Sequence, residues 1–246
     1  MAQVTLSQRL QTLADMVTPG NRVADVGCDH GFVSIYLVQK EISPKVLAMD
    51  VRTGPLSRAK EHIAEYKLTD YIEVRLSDGL QEYEPGEADT LICAGMGGKL
   101  MTRILTESRQ KAQGLRELIL QPQSEIPAFR RFLRAEGYQL LDENIVYEEG
   151  KYYFFMKVCF RGDSVRQQEL EEKEAAGLYE SFGELLLKRR NPILKQYLLD
   201  TLLSRGQIAD TLRANVESAD KEKARVRLQE LEQEVAALKR ALALYE

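Results

Sequence analysis

A parallel β-sheet covered by helices on both faces, ending in an antiparallel hairpin and followed by a separate all-helical region, is the fold class that three observations predict. Short apolar strand-like runs alternate with helical runs over the first two thirds of the chain, which is the pattern of βαβ crossovers. Two longer strand-like runs then flank Glu148-Glu149-Gly150-Lys151, which reads as a hairpin turn, and a hairpin is necessarily antiparallel. From about Ser164 onward strand signals vanish and charged, helix-favouring residues dominate. The expected organisation is an α/β domain over residues 1–163 and a helical, coiled-coil-like domain over residues 164–246.

The elements follow in order. Leu6, Leu10, Leu13 and Val17 recur at helical spacing until Pro19-Gly20, marking an amphipathic N-terminal helix. Strands are predicted over Arg22 to Val26, Val46 to Val51, Ile72 to Leu76, Thr90 to Ala94 and Leu118 to Gln121. Helices are predicted around Phe32 to Gln39, Gly54 to Tyr66, Gly98 to Glu107 and Ser124 to Glu136, and the hairpin over Tyr138 to Tyr147 and Tyr152 to Phe160. In the tail, Leu228, Leu231, Val235, Leu238, Leu242 and Tyr245 form an apolar seam with charges between. Its partner is sought in Leu170 to Lys188 and Pro192 to Val216, where Leu178, Phe182, Leu185, Leu194, Leu198, Leu202, Ile208 and Leu212 supply an opposing face. Asn191-Pro192 should break or start a helix, and Gly206 is expected to interrupt the next one. The short seam favours a hairpin of helices within one chain over an intermolecular zipper, and so a monomer.

The chain has 246 residues, 44% of them apolar, and a formal net charge of −4, which is ordinary for a globular protein with one domain and an appendage. The first residues lack a basic stretch followed by an apolar run, and no segment approaches the length of a membrane span, so a cytoplasmic location is expected. Cys28, Cys93 and Cys159 lie far apart without Cys-x-x-Cys spacing, arguing for reduced, buried thiols and neither a metal site nor a disulfide framework.

The chemistry concentrates at the turn Val23-Ala24-Asp25-Val26-Gly27-Cys28-Asp29-His30-Gly31, between the first strand and its helix. Glycines in such a turn let a helix N-terminus approach a pyrophosphate. Here Asp29 stands where the middle glycine of a dinucleotide fingerprint belongs, and Asp25 adds a second negative charge, so a phosphate is disfavoured. A ligand with a nucleoside end and a cationic end suits the turn, and S-adenosylmethionine is one. Asp50 closes the second strand and is returned to the same sheet edge by the crossover, where a carboxylate can accept hydrogen bonds from both ribose hydroxyls. Asp78 follows the third strand, placed to accept from an adenine amino group. Each has a plainer role open to it: Asp25 could tie down its own loop, Asp50 could cap a helix, and Asp78 with Gly79 could form a turn. Their recurrence at consecutive strand ends favours the ligand.

After the fourth strand comes Cys93-Ala94-Gly95-Met96-Gly97-Gly98, without the acidic or amide residue and prolines that many amino-methylating enzymes of nucleic acids carry there. Its glycines leave room for close backbone approach beside the reacting group, or serve only the strand-to-helix turn. For phosphate contacts, despite the acidic balance, the candidates are Arg130, Arg131 and Arg134 on one helix and Lys188, Arg189, Arg190 and Lys195 at a helical junction. A solvated helix face is the alternative for the arginine helix.

The whole constellation resembles the bacterial tRNA (adenine-22-N1)-methyltransferases. The resemblance is carried by Ala24 to Gly31 with Asp50, Leu76-Ser77-Asp78-Gly79-Leu80, Ala94-Gly95-Met96-Gly97-Gly98, Leu120-Gln121-Pro122-Gln123 and Lys188-Arg189-Arg190-Asn191-Pro192. It implies the Rossmann-like sheet of class I methyltransferases, with its antiparallel hairpin, and methyl transfer from S-adenosylmethionine to N1 of an adenine in the D-loop region of tRNA. The cofactor residues it implies are Asp25, Gly27, Cys28, Asp29 and Gly31 in the first turn, then Asp50, Val51, Ser77, Asp78, Gly79, Ala94, Gly95 and Met96.

The chemistry fits the residue types. N1 of adenine attacks with its in-plane lone pair, so positioning outweighs general-base catalysis. The product base is cationic, and a carboxylate facing it stabilises the charge that develops. Asp29 is the candidate for that role and His30 the candidate positioning group, with a structural role as the alternative for a lone histidine beside a ligand loop. A small-molecule methyltransferase and a non-catalytic scaffold are the two competing classes. A long charged helical tail in place of a lid argues against the first, and the intact set of carboxylates against the second.

Overall fold

The computed structural model describes residues 3–162, 173–215 and 221–246. Two compact units are present, Met1–Lys173 and Glu174–Glu246. The expected boundary at residues 163/164 falls outside the described residues.

In the first unit, helix α1 (Gln8–Asp15) is capped by Ser7, whose hydroxyl accepts from the Leu10 amide. It leads into strand β1 (Val23–Val26), helix α2 (Phe32–Gln39), strand β2 (Val46–Asp50), helix α3 (Thr53–Glu65) and strand β3 (Ile72–Leu76). The second half runs β4 (Thr90–Met96), α4 (Gly98–Glu107), α5 (Arg109–Gln113), β5 (Glu117–Pro122), α6 (Ile126–Ala135), β6 (Tyr138–Glu148) and β7 (Lys151–Phe160). Only the short α5 is unanticipated; its five residues, bounded by Ser108 and Gly114, are too few to show a helical period.

The strands form one seven-stranded sheet in the order β3-β2-β1-β4-β5-β7-β6. The first five are parallel, whereas β7 pairs antiparallel with both β5 and β6. The order reverses between β1 and β4, and ligands of open α/β sheets bind outside the strand ends at such a switch point. The hairpin turn is the two-residue Glu149-Gly150, both at positive φ (49° and 78°), which matches the twist of the flanking strands.

Side-chain alternation along the strands sorts the core into two layers. Val23, Ala48, Ile92 and Ile119 face α1, α2 and α3, where they join Leu13, Ile35, Leu37 and Ile63. Ala24, Met49, Cys93 and Leu120 face the other way and pack with Met101, Ile104, Phe129 and Leu133. By this phase Asp25, Asp50 and Gln121 lie on the α1–α3 face, at its carboxyl edge. A buried network fastens the opposite edge: Glu117 accepts from the amide and hydroxyl of Thr18, from the Thr90 hydroxyl and from Lys157, at 2.6 to 2.9 Å.

The second unit contains helices α7 (Lys173–Phe182), α8 (Glu184–Lys188), α9 (Pro192–Asn215) and α10 (Lys221–Ala243). The start expected at Leu170 lies outside the described residues. Asn191 starts α9, its Oδ1 accepting from the amides of Ile193 and Leu194, with Pro192 at the first helical position. The helix runs on through Gly206, which corrects the expected interruption: an isolated glycine costs about 1 kcal/mol, less than the packing of its neighbours returns. Helices α9 and α10 pair antiparallel, as the ion pairs Arg205–Glu234 and Arg213–Glu232 and the Lys195–Tyr245 contact show. Leu194, Leu198, Ala209, Leu231, Leu238 and Ala241 are buried, whereas Ile208, expected in the seam, is 40% exposed and Ala209 takes its place. Among the described residues no helix is long and apolar enough to cross a membrane.

Candidate active site

The carboxyl ends of β1, β2 and β4, the segment after β3 and one face of α1 surround a cavity of about 760 Å³. Asp25, Gly27, Cys28, Asp29, His30, Asp50, Val51, Ser77, Asp78, Gly79, Ala94, Gly95 and Met96 line it. Of the expected cofactor residues only Gly31 stands apart. It is the N-cap of α2, with φ of 76°, and a Cβ there would lie 3.2 Å from that of Ala59. Its demand is backbone conformation and the close approach of α2 to α3.

Asp25 is 4% exposed, and its Oδ2 accepts a 2.7 Å hydrogen bond from the Ser34 hydroxyl of α2. Burial pushes its pKa up to about 6, the serine opposes the shift, and the Asp50 charge adds to it. Asp25 thus both ties down its own helix and turns a carboxylate into the cavity. Asp50 is equally buried, at 5%; its Oδ1 accepts from the Arg52 amide at 2.9 Å. Ser77 is held by donating to the Gly79 carbonyl and accepting from the Glu82 amide.

Asp78 is engaged from a direction the sequence does not show. Arg103 of α4 binds both its oxygens, at 2.8 and 3.1 Å, and holds the carboxyl below its usual range. Each oxygen keeps a lone pair for a further donor.

Arg9 is the second basic residue on the wall that sequence reasoning missed. Its Nη1 donates to Gln121 Oε1 at 3.4 Å, and its guanidinium lies over the Tyr153 ring at 5.2 Å. The same Gln121 oxygen accepts from the Gly95 amide, so one buried amide links α1 to the β4 loop. Among the described residues the Arg9 guanidinium has no carboxylate partner, while those of Arg52 and Arg103 pair with Asp50 and Asp78. The only hint in the sequence is a basic residue beside the apolar stripe of the first helix.

At the rim, Asp29 has φ of 49° and a side chain 62% exposed. His30 Nε2 stands 3.7 Å from the Asp29 carboxylate, beyond hydrogen-bond reach, and 3.4 Å from Arg58 Nη1. Gly95 lines the cavity, but Gly98 is required by packing, since a Cβ there would meet the Ser124 carbonyl at 2.6 Å. The three cysteines are free and buried; burial raises Cys28 and pushes Cys93 to about 12, so neither is a nucleophile at neutral pH.

Arg130 is a correction. Its side chain is 8% exposed, its Nε donates to the buried Glu143 carboxylate at 3.0 Å, and its guanidinium covers Phe154. It joins α6 to β6 and presents no surface for phosphate. Arg131 is exposed and Arg134 half-buried. In the second unit Lys188, Arg189, Arg190 and Lys195 are all exposed. Lys188 pairs with Glu184 at 2.7 Å, and Arg190 adopts φ of 50° in the turn before α9.

Residues 6–156 match the family described as "Methyltransferase domain". The chain is 32% identical over 242 residues to the tRNA (adenine(22)-N(1))-methyltransferase of Bacillus subtilis, covering 98% of this chain and 99% of the relative. The crystal structure of the B. subtilis m1A22 tRNA methyltransferase TrmK superposes with a TM-score of 0.82 at 29% identity, over 98% of this chain and 100% of that one. A candidate tRNA (m1A22) methyltransferase of Streptococcus pneumoniae, solved in complex with S-adenosyl-L-methionine, superposes at 0.77 with 29% identity over 97% of this chain and 100% of that one. The chain belongs to the methyltransferase-domain proteins and, within them, to the tRNA (adenine(22)-N1)-methyltransferase family.

Proposed function

We propose that this protein transfers the methyl group of S-adenosylmethionine to N1 of adenine 22 in tRNA, the reaction for which its B. subtilis relative is named. The observation that carries this reading is the pair of buried carboxylates, Asp25 and Asp50, opening into one cavity at the switch point of the sheet. Buried carboxylates need cationic or hydrogen-bond-donating partners. The cofactor offers an ammonium, two ribose hydroxyls and an adenine amino group, and its own carboxylate needs a cation.

The residues divide that work. Asp25 accepts from the ammonium and Asp50 from the ribose hydroxyls, while Asp78, oriented by Arg103, accepts from the adenine amino group. Arg9, held by Gln121 and Tyr153, faces the carboxylate. Gly27, Cys28, Val51, Ser77, Gly79, Ala94, Gly95 and Met96 line the walls between them. When bound, S-adenosylmethionine supplies an electrophilic methyl group on sulfur. N1 of adenine has a free lone pair, so the chain's task is to place the ring and shield the reacting atoms from water. Asp29, at the rim, stabilises the positive charge that grows on the base, and His30 beside it positions the ring.

Exposed Arg189, Arg190, Lys195, Lys188 and Arg131 are the cations we assign to the tRNA phosphates. With tRNA as substrate, the protein acts in the cytoplasm. The test is transfer of labelled methyl from S-adenosylmethionine to unmodified tRNA, followed by nucleoside analysis. N1-methyladenosine at position 22 is expected; label in small metabolites alone, or in nothing, would overturn the reading.

A further inference from the structure

Both histidines of the chain, far apart in sequence, meet at one place on the rim of the cavity. Phe32, the first residue of α2, packs against both, and the two imidazole centroids are themselves 5.9 Å apart. Its ring centroid is 4.6 Å from that of His62 and 6.0 Å from that of His30, with interplanar angles of 21° and 18°. His62 Nδ1 donates to the His30 carbonyl at 3.0 Å, which links α3 to the loop before α2 and fixes the orientation of one imidazole. Arg58 Nη1 lies 3.4 Å from His30 Nε2, which ties the second imidazole to α3.

Packing alone does not account for this cluster. Helices α2 and α3 are already joined by Gly31 against Ala59, and Ile35 and Ile63 are buried in the same core layer. Phe32 is left 37% exposed and lines the cavity, although an apolar ring free to choose would be buried. Arg58 is exposed, and its only polar partner among the described residues is the His30 ring. A cluster of three rings in mutual contact with a cation beside it, at the mouth of a site, has the composition that single-stranded RNA selects. Bases stack on Phe and His, and Arg takes the adjoining phosphate.

We propose that Phe32, backed by His30 and His62, is the stacking platform for an unpaired nucleobase of the tRNA, with Arg58 on the neighbouring phosphate. The inference rests on the tRNA reading above. Its logic is that N1 lies on the Watson-Crick edge, so the acceptor adenine must leave its stack, and the enzyme has to replace the stacking that is lost. Phe32 stands where the acceptor strand would pass from the rim into the cavity.

The experiment compares wild type with Phe32→Ala, Phe32→Tyr and His62→Ala. It measures tRNA affinity in the presence of S-adenosylhomocysteine, S-adenosylhomocysteine affinity by calorimetry, and the fluorescence of tRNA carrying 2-aminopurine at unpaired D-loop positions. Phe32→Ala is expected to weaken tRNA binding about tenfold and to abolish the 2-aminopurine quenching seen with wild type. Phe32→Tyr should bind within twofold of wild type, and S-adenosylhomocysteine affinity should be unchanged in all three. His62→Ala, which leaves the cavity wall intact, should weaken tRNA binding severalfold and serves as the deciding variant if Phe32→Ala fails to fold. Wild-type tRNA affinity and quenching in the alanine variants would overturn the platform while leaving the methyltransferase reading standing. A wild-type protein that neither binds nor methylates tRNA would overturn both.

Discussion

The hydroxyl of Ser34, on the first helix after β1, donates a 2.7 Å hydrogen bond to the buried carboxylate of Asp25, and so holds one of the two buried acids of the cavity against the helix that follows it. Burial raises the pKa of that acid to about 6 despite the bond. In the unliganded protein the carboxyl is therefore mostly protonated below pH 6, whereas an ammonium binds its ionised form. S-adenosylhomocysteine affinity should rise with pH, by up to tenfold per unit below about 6, and level off above. Calorimetry in buffers of different ionisation enthalpy should show a proton released on binding in the lower range. Asp25→Asn should bind weakly and lose this pH dependence; a pH profile in the variant like that of wild type would remove Asp25 from the ligand.

Arg9 gives a test of chemical selectivity. Arg9→Met should weaken S-adenosylhomocysteine binding by about 10- to 100-fold, the range for a charge-assisted bond, yet bind 5′-deoxy-5′-methylthioadenosine as wild type does, since that molecule has no amino-acid moiety. Equal losses for both ligands would mean that Arg9 only supports the wall.

Glu117 sets the acid limit of the domain. Burial pushes its pKa up, but the two bonds from Thr18, with Lys157 and the Thr90 hydroxyl, outweigh that and hold it below the ordinary 4.5. A depressed carboxyl stabilises above its unfolded pKa and loses that contribution as pH falls through the folded value, so the loss should begin below pH 4.5. Glu117→Gln, which strands Lys157, should lower unfolding free energy at pH 7 by about 3 kcal/mol in urea titrations and flatten the acid limb. An unchanged midpoint would show that the network contributes nothing net.

Arg189 and Arg190 test the RNA contact of the second unit. Reversing both charges should weaken tRNA binding, reduce the slope of affinity against salt concentration, and leave S-adenosylhomocysteine binding unaltered. The same tRNA affinity at several salt concentrations would exclude them from the interface.

Asp29 bears on the chemistry. Asp29→Ala should lower turnover at saturating cofactor and tRNA by about 10- to 100-fold, as expected for a single lost electrostatic contact to developing charge. Wild-type turnover would cancel that role.

These sites differ in how far they could be read from residues alone. Asp25, Asp50 and Asp78 were legible because each crossover returns the chain to the same edge of the sheet, so a position at a strand end fixes a position in space. Arg9 and Arg103 come from helices, and whether a helical side chain reaches the cavity depends on the rotation of that helix against the sheet, which its own period does not specify. Arg130 shows the error this allows: it was grouped with Arg131 as surface charge, although Glu143, distant in sequence, draws it inward. The hairpin was legible from its turn, but the insertion of β7 between β5 and β6 depends on tertiary pairing alone.

The attachment of Arg9 has a consequence for the order in which the cavity wall is completed. Its amide donates to Glu148, 139 residues later, its side chain rests on Tyr153, and Gln121 completes the hold. Helix α1 therefore waits for β7, the last strand of the sheet, before its guanidinium is in place. A chain that ends before Tyr153 has all the strand-end carboxylates but lacks the finished wall.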